Sequence, residues 1–202
     1  MSKGEETKNA ILTLGLEMAS LVGLENVSIG SLAKAAAMSK SGLFAHFQSK
    51  ENLQVEILAF AGELFSQGVI IPALRTPAGI PRIKSLTEHW VKWNADLTGG
   101  CIFVTASSDF KDRPGKVRDF LLHQQEQWLD CLRRIALSAI KSGDFRADID
   151  CDQFAFEFYS LLLGFHLYHK LLARPDIQTR QEQALVKLLT DYQTASKPDH
   201  AN

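Results

Sequence analysis

An all-α fold is the class this sequence predicts, and three observations predict it. Apolar residues recur at spacings of three and four along most of the chain, the signature of helices that bury one face. No convincing pair of alternating segments reads as two strands, and no internal repeat or low-complexity tract interrupts the pattern. The breaks between periodic segments fall on Gly, Pro, Ser and Asp, the residues that start and stop helices. The 202 residues are 46% hydrophobic and 22% charged, with a formal net charge of −1. That composition suits a soluble globular core and excludes disorder, which needs low hydrophobicity with high net charge. It also argues against attachment to nucleic acid by bulk positive charge.

About nine helices follow in order. In the first, Ile11, Leu14, Met18, Leu21 and Val22 share a helical face, and Gly23 ends it by adopting a left-handed conformation cheaply. Ser28 is placed to cap a short, Ala-rich second helix, Ile29 to Ala36. After the break Ala37-Met38-Ser39, Ser39 caps a third short helix through Phe47. Ser49 caps a long fourth helix to about Ile71, and Pro72 with the stretch Thr76–Pro81 reads as a linker. The fifth helix, about Arg82 to Asp96, carries Leu86, His89, Trp90 and Trp93 on one side. Cys101 to Asp109 reads as a short helix, although Cys101–Val104 alone fits a strand. Pro114 opens a long amphipathic helix to Ser142, Asp148 and Asp150 introduce another to about Ala173, and Ile177–Tyr192 is the last.

Cys101, Cys131 and Cys151 are too few and too far apart for a disulfide framework or a zinc knuckle, so reduced thiols are expected. Cys101 reads as a small buried hydrophobe before it reads as a redox sensor. The polar start is no signal peptide, and no stretch approaches about 18 uninterrupted apolar residues, so a cytoplasmic location is expected. His166 and His169 lack a completing carboxylate or thiol for a metal, and Asp144, Asp148, Asp150 and Asp152 lack calcium-loop spacing. No Gly-rich phosphate loop, Gly-x-Ser-x-Gly or paired His-Glu zinc motif occurs. Enzyme activity, a cofactor and a metal are therefore not expected.

The three short helices of the first fifty residues carry the functional signal. Two helices of this length, joined by a turn of three, match a helix-turn-helix whose second helix enters the DNA major groove. Leu32, Met38, Leu43 and Phe47 supply the inward face. Lys40, Ser41, Gly42, Phe44, Ala45 and His46 supply the outward one.

The run Ser31 to Leu53, with Ser39-Lys40, Leu43-Phe44, His46-Phe47 and Ser49-Lys50-Glu51-x-Leu53 at these spacings, resembles the DNA-binding signature of the TetR (tetracycline-repressor) family. The resemblance implies a head over residues 1–48 and an effector-binding and dimerisation region over 49–202. It implies operator contacts by Ser28, Ser39, Lys40, Ser41, Gly42, Phe44, Ala45, His46 and Lys50, the last placed where a helix N-terminus favours phosphate. A homodimer through the last two long helices and a small-molecule effector complete the implied picture, most simply a repressor released from a palindromic operator. Ala37 stands where the family usually has Gly. Either it is left-handed, at about 1 kcal/mol, or the turn differs.

The second half offers aromatic residues at helical spacing, core by default. Trp90, Trp93, Phe103, Phe110, Trp128 and Tyr159, with His89 and His123 as polar partners, are the candidates for an effector pocket; Phe156 belongs to the same aromatic set. A helical ligand-binding protein that does not bind DNA is the alternative reading, resting on weak basic character. Residues 1–50 carry five Lys and four Glu, and no Arg precedes Arg75. Few phosphate contacts per subunit are therefore expected, with reliance on dimer geometry.

Overall fold

The computed structural model describes residues 3–194. Among them the regular structure is helical, apart from one isolated antiparallel bridge between Phe145 and Gln193. In order the helices are α1 (Lys3–Val22), α2 (Ile29–Ala35), α3 (Lys40–Phe47), α4 (Lys50–Leu74), α5 (Ile80–Asp96), α6 (Ile102–Phe110), α7 (Lys116–Lys141), α8 (Cys151–Lys170) and α9 (Ile177–Tyr192). A 3-10 turn, Leu24–Asn26, joins α1 to α2. The strand alternative at Cys101–Val104 gives way to a helix. Residues up to 71 together with 89–127 form one compact unit, and 72–88 together with 128 onward form another.

In the first unit α1 lies on α4. The inward face of α1 is Ile11, Leu12, Gly15, Leu16 and Ala19, whereas the expected Leu21 and Val22 are exposed. The register differs because small residues make the contact: a Cβ on Gly15 would sit 2.8 Å from Ile57 Cδ1. A count of large apolar residues misses such a face. Gly23 ends α1 at φ 84°, as its conformational freedom leads one to expect. Ser20 Oγ then accepts the Gly99 N–H at 2.8 Å, tying α1 to the segment before α6. Phe65 of α4 meets Trp93 and Phe103 edge to face, with centroids 5.5 and 6.0 Å apart.

Two expectations for α4 need correction. The helix continues through Pro72, which had read as a linker. A π-turn at Ser66–Ile70 precedes it, in which the Ile71 N–H reaches back five residues to the Ser66 carbonyl. The wider turn relaxes the ladder just where proline supplies no N–H. By length and composition α4 is also long and apolar enough to cross a membrane, contrary to the expectation of no such stretch. Along one side it packs into the core, where Leu53, Ile57, Leu58, Ala61 and Val69 are fully buried, whereas Ile71 and Leu74 near its end are exposed.

In the second unit α9 runs back along α8. Tyr192 at its end packs edge to face on Phe154, and Ile177 at its start shares a cavity with Tyr168. Asp150 caps α8 by accepting the N–H groups of Asp152 and Gln153. Asp144 Oδ2 accepts the Ile80 N–H at 2.9 Å at the start of α5. Two of the four clustered aspartates are thus helix caps. Phe156, placed with the core aromatics by its spacing, is instead 65% exposed.

Candidate nucleic-acid interface

The helix-turn-helix is closed almost entirely by its own backbone and hydroxyls. Ser28 stands in extended conformation and its Oγ accepts the Ser31 N–H at 3.1 Å. Ser31 Oγ accepts the Ser28 N–H at 2.9 Å in return, a capping box completed by Ser where Glu or Gln is usual. Ile29, Leu32 and Ala33 are the buried side of α2. At its other end the Met38 N–H donates to the Ala33 carbonyl at 3.0 Å and the Ala37 N–H to Lys34 at 3.4 Å. This is the Schellman pattern, which needs a left-handed residue at its centre. Ala37 takes that role with φ 51°. Of the two readings the sequence left open, the strained alanine is the one observed.

Ser39 caps α3, its Oγ accepting the Gly42 N–H at 3.0 Å. A Cβ on Gly42 would approach that same Oγ to 3.0 Å, so glycine leaves the cap undisturbed. Leu43 and Phe47 are buried and anchor the helix, while Lys40, Ser41, Phe44, Ala45 and His46 are all exposed. Phe44 is 55% exposed. A phenyl ring so far out contributes little to the core, and Lys40 and Ser41, four and three residues earlier, place an ammonium and a hydroxyl beside it on the helix.

The exit from α3 is tight. Gln48 holds φ 64° and ψ −33°, and the Ser49 N–H donates to the Phe47 carbonyl at 2.7 Å, a γ-turn of the rarer, strained hand. Ser49 Oγ then accepts the Asn52 N–H at 3.0 Å and starts α4. Lys50 follows as the first helical residue. Its Nζ is not solitary: it lies 3.1 Å from Glu25 Oε1. The same oxygen is 3.2 Å from Arg113 Nη1. Nothing in the sequence joins Glu25, Lys50 and Arg113, because only folding brings residues so distant in the chain together.

Within the first unit two cavities flank Phe110. One, of about 230 Å³, is lined by Ser107, Phe110, Lys111, Arg118, Leu121, Leu122 and Gln125. The other, of about 260 Å³, includes Glu25, Lys50, Gln54, Phe110, Arg113 and Arg118. Of the aromatic pocket candidates, Phe110 is the one that lines either. Trp90 and Phe103 are buried, Trp93 and His89 are half-buried, and His123 is exposed. Trp128 and Tyr159 belong to the second unit, where they pack edge to face at 6.4 Å. Burial pushes the Cys101 thiol up, with the Trp93 indole opposing only in part, so thiolate is scarce at neutral pH. No cluster of three or more metal-ligating side chains occurs among the described residues.

Comparison with known proteins places this geometry. Residues 11–57 match the family model for bacterial regulatory proteins of the tetR family. Residues 79–185 match the tetracyclin repressor-like C-terminal domain. The HTH-type transcriptional repressor DhaR of Mycobacterium sp. (strain GP1) is 26% identical over 136 residues, which is 66% of this chain and 67% of that protein. A TetR-family regulator from Cytophaga hutchinsonii superposes with a TM-score of 0.84 at 18% identity, covering 97% of this chain and 99% of its own. A TetR regulator from Chloroflexus aurantiacus J-10-FL gives 0.81 at 21% identity, covering 94% and 96%.

Proposed function

The chain belongs to the tetR family of bacterial regulatory proteins, and from that premise we propose how this ligand-responsive, DNA-binding regulator meets its operator. Residues 1–48 act as the reading head, and 49–202 as the effector-binding and dimerisation region. The observation that carries the reading is the exposed row Lys40, Ser41, Phe44, Ala45 and His46 on a helix held from behind by Leu43 and Phe47. Lys40 and Ser41 meet base edges or phosphates near the N-terminus of α3. Phe44 and Ala45 supply apolar contact for thymine methyls, and His46 a phosphate contact. Ser28, Ser39 and Gly42 hold the backbone that sets this face, and Lys50 reaches a phosphate from the start of α4.

One such face reads a half-site; a palindrome needs two, about 34–36 Å apart. The second copy is recruited by α8 and α9. Phe156, Leu167 and Tyr168 of α8, Leu171 and Leu172 just beyond it, and Val186 of α9 are large apolar side chains left exposed. Exposure of this kind in one region marks an interface. Helix α8 begins with Asp152 and ends with His169 and Lys170, so a two-fold antiparallel pairing brings opposite charges together. An effector bound in the helical region favours a dimer geometry in which the two reading helices no longer fit successive grooves, and by reciprocity weakens operator binding. The protein acts by binding alone, without turnover, in the cytoplasm. Selection of bound genomic fragments by the purified chain tests the reading: a recovered palindrome supports it, and none at low salt overturns it.

A further inference from the structure

We propose that Glu25 is a built-in competitor of operator phosphate for Lys50, and that Arg113 sets how strongly it competes. This rests on the reading of Lys50 as a phosphate contact, and it assigns that contact a regulator.

The carboxylate is held in place rather than free. Glu25 lies in the 3-10 turn, which is fixed by Gly23 at one end and by Gln54 from below. The buried Gln54 amide donates to the Leu24 carbonyl at 2.8 Å. Arg113 is held too, its guanidinium carbon 5.7 Å from the centre of the Phe110 ring. One carboxylate oxygen therefore faces two cations, Lys50 at 3.1 Å and Arg113 at 3.2 Å.

The strength of the pair decides what it does. The three side chains are between 38% and 54% exposed, so each pair is screened and worth a factor of about five at most. A buried pair would lock Lys50 away; a screened one yields to a polyanion. When a phosphate takes Lys50, Glu25 retains Arg113 and is not left uncompensated. When Arg113 is drawn elsewhere, Glu25 has Lys50 alone and holds it more firmly. The position of Arg113 matters because it precedes α7, and that segment is pinned to α4 a second time: Glu51 Oε1 accepts the Lys116 N–H at 2.9 Å. Arg113 also lines the cavity of about 260 Å³ beside Phe110. An anion accepted there by Arg113 would strengthen the hold of Glu25 on Lys50 and weaken operator binding.

The test is a set of operator titrations by fluorescence anisotropy on the full chain. The probe is the duplex recovered by fragment selection, alongside a mixed-sequence duplex. Glu25→Gln keeps the shape and removes the charge. It should tighten binding to both duplexes by roughly two- to fivefold and steepen the salt dependence by up to about one phosphate contact. Arg113→Gln should weaken binding several-fold, and should do nothing when Glu25→Gln is already present. Weaker or unchanged binding in Glu25→Gln overturns the proposal. So does an Arg113→Gln loss that persists in the double variant, because Arg113 would then touch DNA itself. Lys50→Ala separates the two levels: if it leaves affinity and salt dependence unchanged, the reading of Lys50 as a contact fails, and the competitor with it.

Discussion

The reading head and the α8–α9 pair solve the same problem of exposed surface in opposite ways. In the head, each short helix begins with a serine whose hydroxyl accepts a backbone N–H, and the turn carbonyls are bonded within the turn. On α2 and α3 what is left outward is small, polar or cationic, with Phe44 as the exception, and at the end of α1 Leu21 and Val22 are exposed as well. The α8–α9 pair instead exposes Leu167, Leu171, Leu172 and Val186. It also buries the Gln181 amide, whose Nε2 lacks a partner among the described residues. Over Gly164 of α8, apart from its chain neighbours and the backbone of its own helix, nothing lies within 4 Å of where a Cβ would stand. The head is complete as one chain and awaits a charged partner. On the proposed reading the α8–α9 pair awaits an apolar one. The net charge of −1 fits the proposed use of two modest faces presented together rather than one strongly basic face.

Breaking the α8–α9 face should therefore cost most. Leu167→Glu with Leu171→Glu places charges on side chains 49% and 73% exposed, so the protomer should fold while the dimer dissociates. Operator affinity is expected to drop by two or more decades, the loss of one tethered half-site; light scattering gives the mass and anisotropy the affinity. A variant that stays dimeric, or a monomer that binds as before, would place the interface elsewhere. Next in size is Lys40→Ala in the complete region. One lost contact should weaken binding by about 1–3 kcal/mol, leaving the circular dichroism melt unchanged because Lys40 is exposed.

The same contrast explains what could be seen in the sequence. Gly23, Ser28, Ser39 and Ser49 act through neighbours within a few residues, so their roles were legible from local pattern, and α9 was bounded as Ile177–Tyr192 from its spacing alone. The strained Ala37 was visible as one of two alternatives. The inward face of α1 was not, because it is made by Gly15 and Ala19, which a pattern of large apolar residues overlooks. Passage of α4 through Pro72 depends on a π-turn that leaves no compositional mark. The Glu25–Lys50–Arg113 contact joins three distant points of the chain, and the cavities beside Phe110 arise from packing that aromatic spacing does not encode.

Two changes of about 1 kcal/mol sharpen the picture of the head. Ser28→Ala removes an N-cap and leaves the Ser31 N–H without its acceptor. Stability should fall by about 1 kcal/mol, read as a lower urea midpoint at unchanged slope. Ala37→Gly goes the other way. It relieves the left-handed φ of 51° but adds freedom to the unfolded chain, so the net gain should be at most about 1 kcal/mol. A destabilised Ala37→Gly would mean that the alanine methyl does more for the turn than its backbone costs.

The smallest expected effect is a pH dependence seated in α8. His166 is half-buried, and burial first, then Lys170 and His169, hold its imidazole below the usual 6.5. Protonation is therefore harder in the folded chain than in the unfolded one. The unfolded state binds the extra proton first, so the stability owed to neutral His166 is complete above 6.5 and is lost as pH falls through the folded value. Between about pH 8 and pH 5 the urea midpoint should decline in the native sequence, and decline less in His166→Gln.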